Sequence, residues 1–224
     1  FSQGQADWWY FGQSAGVHFT TSGPVAVNDG QISTSEGCAS ISDQAGNLQF
    51  YTDGIVVYDK NHNLMPNGSG LLGNSSSTHS GIIVPRPGSS TDFYIFTVDD
   101  GGTNGVGMYY SKVDLTLNSG NGDVVTSEKN VFLVDDTSEK VAAVKKSNGY
   151  WIITHLAETN QYYTYEVTSA GVNTTPVIST TAWNTAGFGY GIAVSSTGTK
   201  LASVYFSTDS IHVYDVNLAN GQIT

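Results

Sequence analysis

One pattern of sequence, written four times, constrains this chain more than any other feature. Residues 46–59 read Gly-Asn-Leu-Gln-Phe-Tyr-Thr-Asp-Gly-Ile-Val-Val-Tyr-Asp. A Gly-Asn turn opens the stretch, an apolar run follows, Asp53-Gly54 turns the chain, and a second run ends at Tyr58-Asp59. Asp-Gly between two β-rich runs is the strongest short-range hairpin signal. Looser copies run from Asp92–Val98 to Met108–Asp114, from Asn148–Thr154 to Tyr162–Val167, and from Gly198–Tyr205 to Ile211–Val216.

Each copy is preceded by a short run of small and aliphatic residues: Gly37–Ile41, Gly81–Val84, Val141–Val144 and Gly191–Val194. Turns follow at 43–47, 86–92, 145–149 and 195–199. A fourth strand is expected at Leu64-Met65, Val131–Val134 and Val177-Ile178, and near Ile223 in the last copy. Equivalent positions in the opening strands (Ile41, Val84, Val144, Val194) are spaced by 43, 60 and 50 residues. Those in the third strands (Tyr58, Val113, Tyr165, Tyr214) are spaced by 55, 52 and 49. A four-stranded unit of roughly 40–50 residues is the period of a β-propeller blade. The innermost strand of a blade has the least room, which accounts for its Gly and Ala. The expected fold is therefore all-β, a propeller of four-stranded antiparallel blades. The competing arrangement, a Greek-key sandwich, gives no reason for the small opening strand to recur.

The blades are expected at about 36–77, 78–138, 139–187 and 188–224. Residues 1–35 would carry a loose tail and aromatic strands that form part of one more. The aromatic run Trp8-Trp-Tyr-Phe11 suits strand formation and core packing, with an exposed aromatic platform as the alternative. Asn28-Asp-Gly30 is read as the turn of a small hairpin. Four to five blades are expected here, out of about seven in a complete ring. The chain is thus read as part of a longer, N-terminally processed polypeptide.

Composition removes whole classes of function. The formal net charge is −11, so nucleic acid and anionic membrane surfaces are not expected partners, because both need clustered Lys and Arg. No apolar run is long enough to span a bilayer. The single cysteine, Cys38, rules out an internal disulfide and reads as a small packed side chain.

Several stretches resemble a known family. Trp9-Tyr-Phe-Gly12, Asn28-Asp-Gly-Gln31, Glu36–Asp43, Gly46–Gly54, Met65-Pro-Asn-Gly68, Gly70–Gly73 and Ser80–Pro85 are similar to the N-terminal region of large bacterial surface proteins. Those proteins are exported by type IX secretion in gliding bacteria and their relatives, and carry PKD-like repeats and a C-terminal sorting domain. The resemblance is dense over residues 8–85 and beyond them fades into a general WD40-like or YVTN-like propeller pattern. It implies a secreted or outer-surface location and a role in adhesion or protein or glycan binding, with the secretion machinery as a further partner. It carries over no catalytic residues. Asp209-Ser210-Ile211 is similar to the short O-glycosylation motif of exported proteins in those bacteria and marks Ser210 as a modification site.

The remaining candidates come from position. Residues just before the innermost strands should meet at the axial mouth: Glu36, His79, Glu139 with Lys140, and Tyr190. Together they suit a small polar ligand or a sugar. Paired carboxylates there would instead suit a secreted polysaccharide-acting enzyme. The loop 99–105 is rich in oxygen ligands, so Asp99, Asp100 and Asn104 are candidate Ca²⁺ ligands, although the EF-hand pattern is not met. No other cofactor is implied. There is no Gly-x-Ser-x-Gly elbow, and the five histidines lack metal spacing. The non-enzymatic binding module is the leading reading, ahead of the enzyme and of a subunit in a larger surface assembly.

Overall fold

The computed structural model describes residues 3–101, 107–183, 191–205 and 208–224. Among these, all regular structure is β apart from three short 3₁₀ turns. The strands form five small antiparallel sheets arranged as the blades of a propeller. Blade I holds β1 (Trp8–Tyr10), β2 (Gly16–Thr20) and β3 (Gly23–Val27). Blade II holds β4 (Ala39–Ser42), β5 (Leu48–Thr52), β6 (Val56–Asp59) and β7 (Leu64–Ser69). Blade III holds β8 (Gly81–Pro85), β9 (Asp92–Val98), β10 (Met108–Asp114), β11 (Asp123–Val124) and β12 (Val131–Val134). Blade IV holds β13 (Thr137–Lys146), β14 (Gly149–Leu156), β15 (Gln161–Thr168), β16 (Gly171–Val172) and β17 (Val177–Thr180). Blade V holds β18 (Gly191–Val194), β19 (Lys200–Tyr205) and β20 (Ser210–Asp215). Among the described residues, no helix is long and apolar enough to cross a membrane.

Two details differ from the sequence reading. The outer strand of blades III and IV is broken in two: β11 and β12 both pair with β10, and β16 and β17 both pair with β15. The hairpin of blade I turns at Thr20–Gly23, where the Thr20 hydroxyl donates to the Gly23 carbonyl at 2.8 Å. Asn28–Gly30 lies beyond it, and Asp29 instead accepts a hydrogen bond from the Tyr10 hydroxyl at 3.0 Å.

The turns explain where the acidic residues go. The Asp53 carboxylate accepts the Ile55 and Val56 N–H groups at 2.9 Å, and Gly54 sits at φ +84°. Asp43 ties the N–H groups of Ala45 and Asn47, Asp59 those of Asn61 and Asn63, and Asp114 that of Thr116. A short carboxylate that mimics a backbone turn is what tight connections between strands require. Much of the negative charge is therefore structural punctuation.

Packing follows the two-residue period of strands, which sends neighbouring side chains to opposite faces. Four apolar clusters fill four blade–blade interfaces. Tyr10 of blade I meets Leu48 and Tyr51 of blade II. Phe50, Val57 and Met65 of blade II meet Phe93, Ile95 and Val113 of blade III. Tyr94, Phe96 and Met108 of blade III meet Ile152, Tyr165 and Val167 of blade IV. Trp151, Ile153 and Tyr162 of blade IV meet Ile192, Leu201 and Tyr214 of blade V. β9 is buried along its whole length because both of its faces are covered.

The ends of the row are different. On blade I, Trp9 and Phe19 pack edge-on against each other and remain exposed. On blade V, Val204 pairs with Ile211 and Ala202 with Val213 across one face. Ile211 and Val213 are 67% and 65% exposed. Among the described residues, the outward faces of the first and fifth blades thus carry blade-interface residues without the cover that the inner blades have.

Candidate functional site

The axial mouth is built by the residues that enter the innermost strands. Gly37 donates its N–H to the Ser77 carbonyl at 3.0 Å, drawing the entries of blades II and III together. Ser80 donates its hydroxyl to the Asp53 carbonyl, and a Cβ on Gly54 would lie 2.6 Å from the Ser80 carbonyl oxygen, so only glycine fits that approach.

Here Glu36, His79 and Glu139 come together around Thr78. The Thr78 N–H and hydroxyl donate to Glu139 Oε2 at 2.8 and 2.7 Å. Glu36 Oε2 stands 3.4 Å from the same hydroxyl. Glu139 is buried and Glu36 is exposed. His79 Nδ1 lies 3.3 Å from the Glu139 carbonyl oxygen. Burial lowers the His79 pKa, assisted by the Lys140 charge, although the bond to Glu139 acts the other way. The imidazole is therefore neutral at pH 7. Replacing Thr78 by valine, nearly isosteric but without the hydroxyl, is expected to cost about 1–3 kcal/mol, because a buried carboxylate loses a short donor. Urea denaturation of the two proteins checks this.

Lys140 does not join this group at the rim. Its side chain is fully buried and runs between blades IV and V. The amine donates to the Ser203 hydroxyl at 2.9 Å and lies 3.5 Å from the centre of the Tyr205 ring. Desolvation brings the Lys140 pKa down to about 7. Around it, the Tyr162 and Tyr205 hydroxyls are 2.7 Å apart, and His155 packs against both rings. Neither ring nitrogen of His155 has a hydrogen-bond partner among the described residues. Burial, then the Lys140 charge, holds the His155 pKa down to about 3, against a small opposing effect from the Thr159 backbone. Nothing in the sequence points to this cluster, because its members are distant in the chain and meet only where two blades pack.

Tyr190 and Asn104 lie outside the described residues. Asp99 is buried and accepts the N–H groups of Gly101 and Gly107, both at 3.1 Å, so it fastens the two ends of its own loop. Among the described residues, no group of three His, Cys, Asp or Glu side chains is placed to hold a metal ion. Ser210 is the first residue of β20, beside Asp209 at φ +48°, and its hydroxyl is 2.7 Å from that of Thr208.

A second concavity lies at the opposite end of the blade II strands, between blade I and the turns that follow β4 and β6. This cleft of about 550 Å³ is lined by Trp8, His18 and Phe19 on one side and by Asn47, Lys60 and Asn61 on the other. The aromatic run 8–11 supplies it through strand alternation: Trp8 and Tyr10 turn toward blade II, Trp9 away from it.

No protein-family model matches the chain, and no curated protein matches it by sequence. Solved structures do resemble it in fold. A protein of Bacteroides uniformis assigned as a candidate 6-phosphogluconolactonase superposes with a TM-score of 0.51 at 12% identity, over 94% of this chain and 62% of its own. A protein of unknown function from Desulfotomaculum acetoxidans gives 0.52 at 12% identity, over 97% and 64% respectively. The β-propeller domain of Cps50 (Swd1) from Myceliophteria thermophila gives 0.42 at 8% identity, over 99% and 70%. The chain thus spans under two thirds of the length of the first two. At these identities the likeness to the first two is one of fold alone.

Proposed function

We propose that this chain is a non-enzymatic interaction module of an exported bacterial surface protein, holding a protein or glycan partner. The observation that carries this reading is the state of the Glu36 and Glu139 pair. Glycoside hydrolysis needs two carboxylates separated by the bond to be cut and its water. Here the space between them is taken by the Thr78 side chain, and Glu139 is spent on holding Thr78 in place. The cleft beside blade I, in contrast, is walled by aromatic rings and hydrogen-bonding side chains with no carboxylate pair, the make-up of a binding surface. A rigid propeller scaffold suits that role, although fold alone does not fix it. Export by type IX secretion is supported by the sequence resemblance over residues 8–85.

The test is a panel of polysaccharides and bacterial surface extracts presented to the purified chain. Capture of a partner without release of reducing ends is expected. Turnover that disappears in Glu36→Gln or Glu139→Gln would replace this reading with the hydrolase. A further reading, a place in a larger assembly, is favoured by the bare faces of blades I and V, which have the composition of a blade–blade interface. Mass determination of the native polypeptide and anything bound to it in fixed proportion tests that.

A further inference from the structure

We infer that the outer edge of β20 accepts an extended strand from a partner protein. This rests on the interaction-module reading, with a protein as the partner, and names the place and the chemistry of the segment.

Blade V is built like its neighbours as far as the start of its outer strand. In blade IV the third strand, β15, is flanked by an outer strand in two parts. In the first, Val172 lies opposite Val167, and the Asn173 N–H donates to the Glu166 carbonyl at 2.8 Å. In the second, β17 continues along β15 with Val177 opposite Thr164 and Ser179 opposite Tyr162. Blade III repeats this, with β11 at one end of β10 and β12 at the other. Blade V has the first part. Ile223 lies opposite Val216, and Asp215 and Thr224 exchange both backbone bonds, at 2.7 and 3.0 Å. Along the rest of β20, the described residues supply a ladder partner on the β19 side alone.

Register identifies the groups on that edge. Backbone groups of an antiparallel strand turn to alternate sides. Asp215 directs its N–H and carbonyl outward to Thr224. Val213 and Ile211, two and four residues back, therefore direct theirs outward as well. A row of open donors and acceptors is a template for a further strand. β20 reads Ser-Ile-His-Val-Tyr-Asp and pairs with β19 in unbroken register, so neither a proline, a lysine nor a bulge guards the edge.

Side chains set the chemistry of the incoming segment. Tyr214 faces blade IV in the shared cluster, and His212, on the same side by alternation, packs against Tyr205 and Trp183. With Thr181, these residues line a groove of about 420 Å³ beside the edge, and Trp183 is 64% exposed in it. The incoming residue opposite His212 enters this groove, which suits a bulky apolar side chain. Its two neighbours lie beside Ile211 and Val213, where β-branched residues pack well across strands. β17, with Val177-Ile178-Ser179, has this pattern. Every described strand already pairs within its own blade, which assigns the segment to another polypeptide. In such strand addition the main chain gives affinity and the side-chain groove gives specificity.

The experiment titrates the whole chain into a fluorescently labelled nonapeptide copying residues 173–181 and reads anisotropy. The peptide should bind. N-methylation of its amides at the copies of Val177 and Ser179, which face β20, should weaken binding about tenfold or more. On the protein, Trp183→Ala removes one wall of the groove and Val213→Pro removes an outward N–H, where an edge strand tolerates proline. Each should weaken binding about tenfold while the thermal transition is unchanged. Binding that survives methylation, or that neither variant alters, would overturn the edge as the site. No binding to a folded chain would overturn strand addition, and a partner held in fixed proportion by the native polypeptide would then leave the module reading standing. A dimer of the chain that Val213→Pro dissociates would replace the partner with a second copy. Slow amide exchange at Ile211 and Val213 in the partner-free native polypeptide would assign the strand to the same polypeptide. Turnover of a polysaccharide would overturn the module reading itself.

Discussion

Replacing Lys140 by methionine is expected to stabilise the protein at neutral and acidic pH. In the fold the Lys140 amine titrates near 7, against 10.5 for an ordinary lysine, because burial penalises its charged form. Below pH 7 the amine is protonated in both the folded and the unfolded chain, and the full penalty of burying an ammonium is in force. Between pH 7 and 10.5 the unfolded chain holds a proton that the fold does not, so stability rises with pH across that window. At 1.36 kcal/mol per unit, the penalty is on the order of 5 kcal/mol. Methionine fills a similar volume and makes a good contact with the Tyr205 ring, but leaves the Ser203 hydroxyl without its amine, which costs about 1–3 kcal/mol. The net gain at pH 6 is therefore about 2–4 kcal/mol, or roughly 4–16 °C in melting temperature for a domain of this size.

Urea titrations from pH 5 to 10 check both the sign and the window. The native protein should gain stability from pH 7 to 10, and Lys140→Met should flatten that rise. The exposed Lys145→Met serves as a control and should change nothing. His155 adds a second window in acid. Its folded value of about 3, against 6.5 unfolded, means that stability falls as the pH drops from 6.5 toward 3. A Lys140→Met protein that melts earlier than the native one at pH 6 would refute this account of the buried amine.

Phe96→Ala should cost about 3–5 kcal/mol, the largest loss expected from a single truncation here. Phe96 is fully buried and packs with Tyr94 and Tyr110 in the cluster that joins blades III and IV. Its neighbour Ile95 points the other way and belongs to the cluster between blades II and III. Val213, on the bare face of blade V, supplies the contrast. It too is an apolar strand residue, yet Val213→Ala should fall within about 0.5 kcal/mol of the native protein, because its side chain is largely exposed. Urea midpoints for the two variants decide this. Equal losses would mean that the outer face of blade V is covered in solution.

The sequence by itself determined the unit of the fold. Asp-Gly and Gly-Asn turns fix hairpins locally, and alternating aromatic and β-branched residues fix strands. Both are short-range effects, so they repeat wherever the pattern repeats. The same logic located the entry residues of the innermost strands, and three of them, Glu36, His79 and Glu139, do meet around Thr78. The break in the outer strands of blades III and IV was not legible, because two- to four-residue strands carry too few side chains for a period to show.

Only the tertiary structure decided what those positions do. Lys140 sits next to Glu139 in the chain, yet the change of side on successive strand residues sends it between two blades toward Ser203 and Tyr205, some 60 residues away. Trp8 and His18 become a face-to-face stacked pair through ladder register rather than through any motif. Contacts between blades depend on how whole sheets pack face to face, and that information is spread over residues with no fixed spacing.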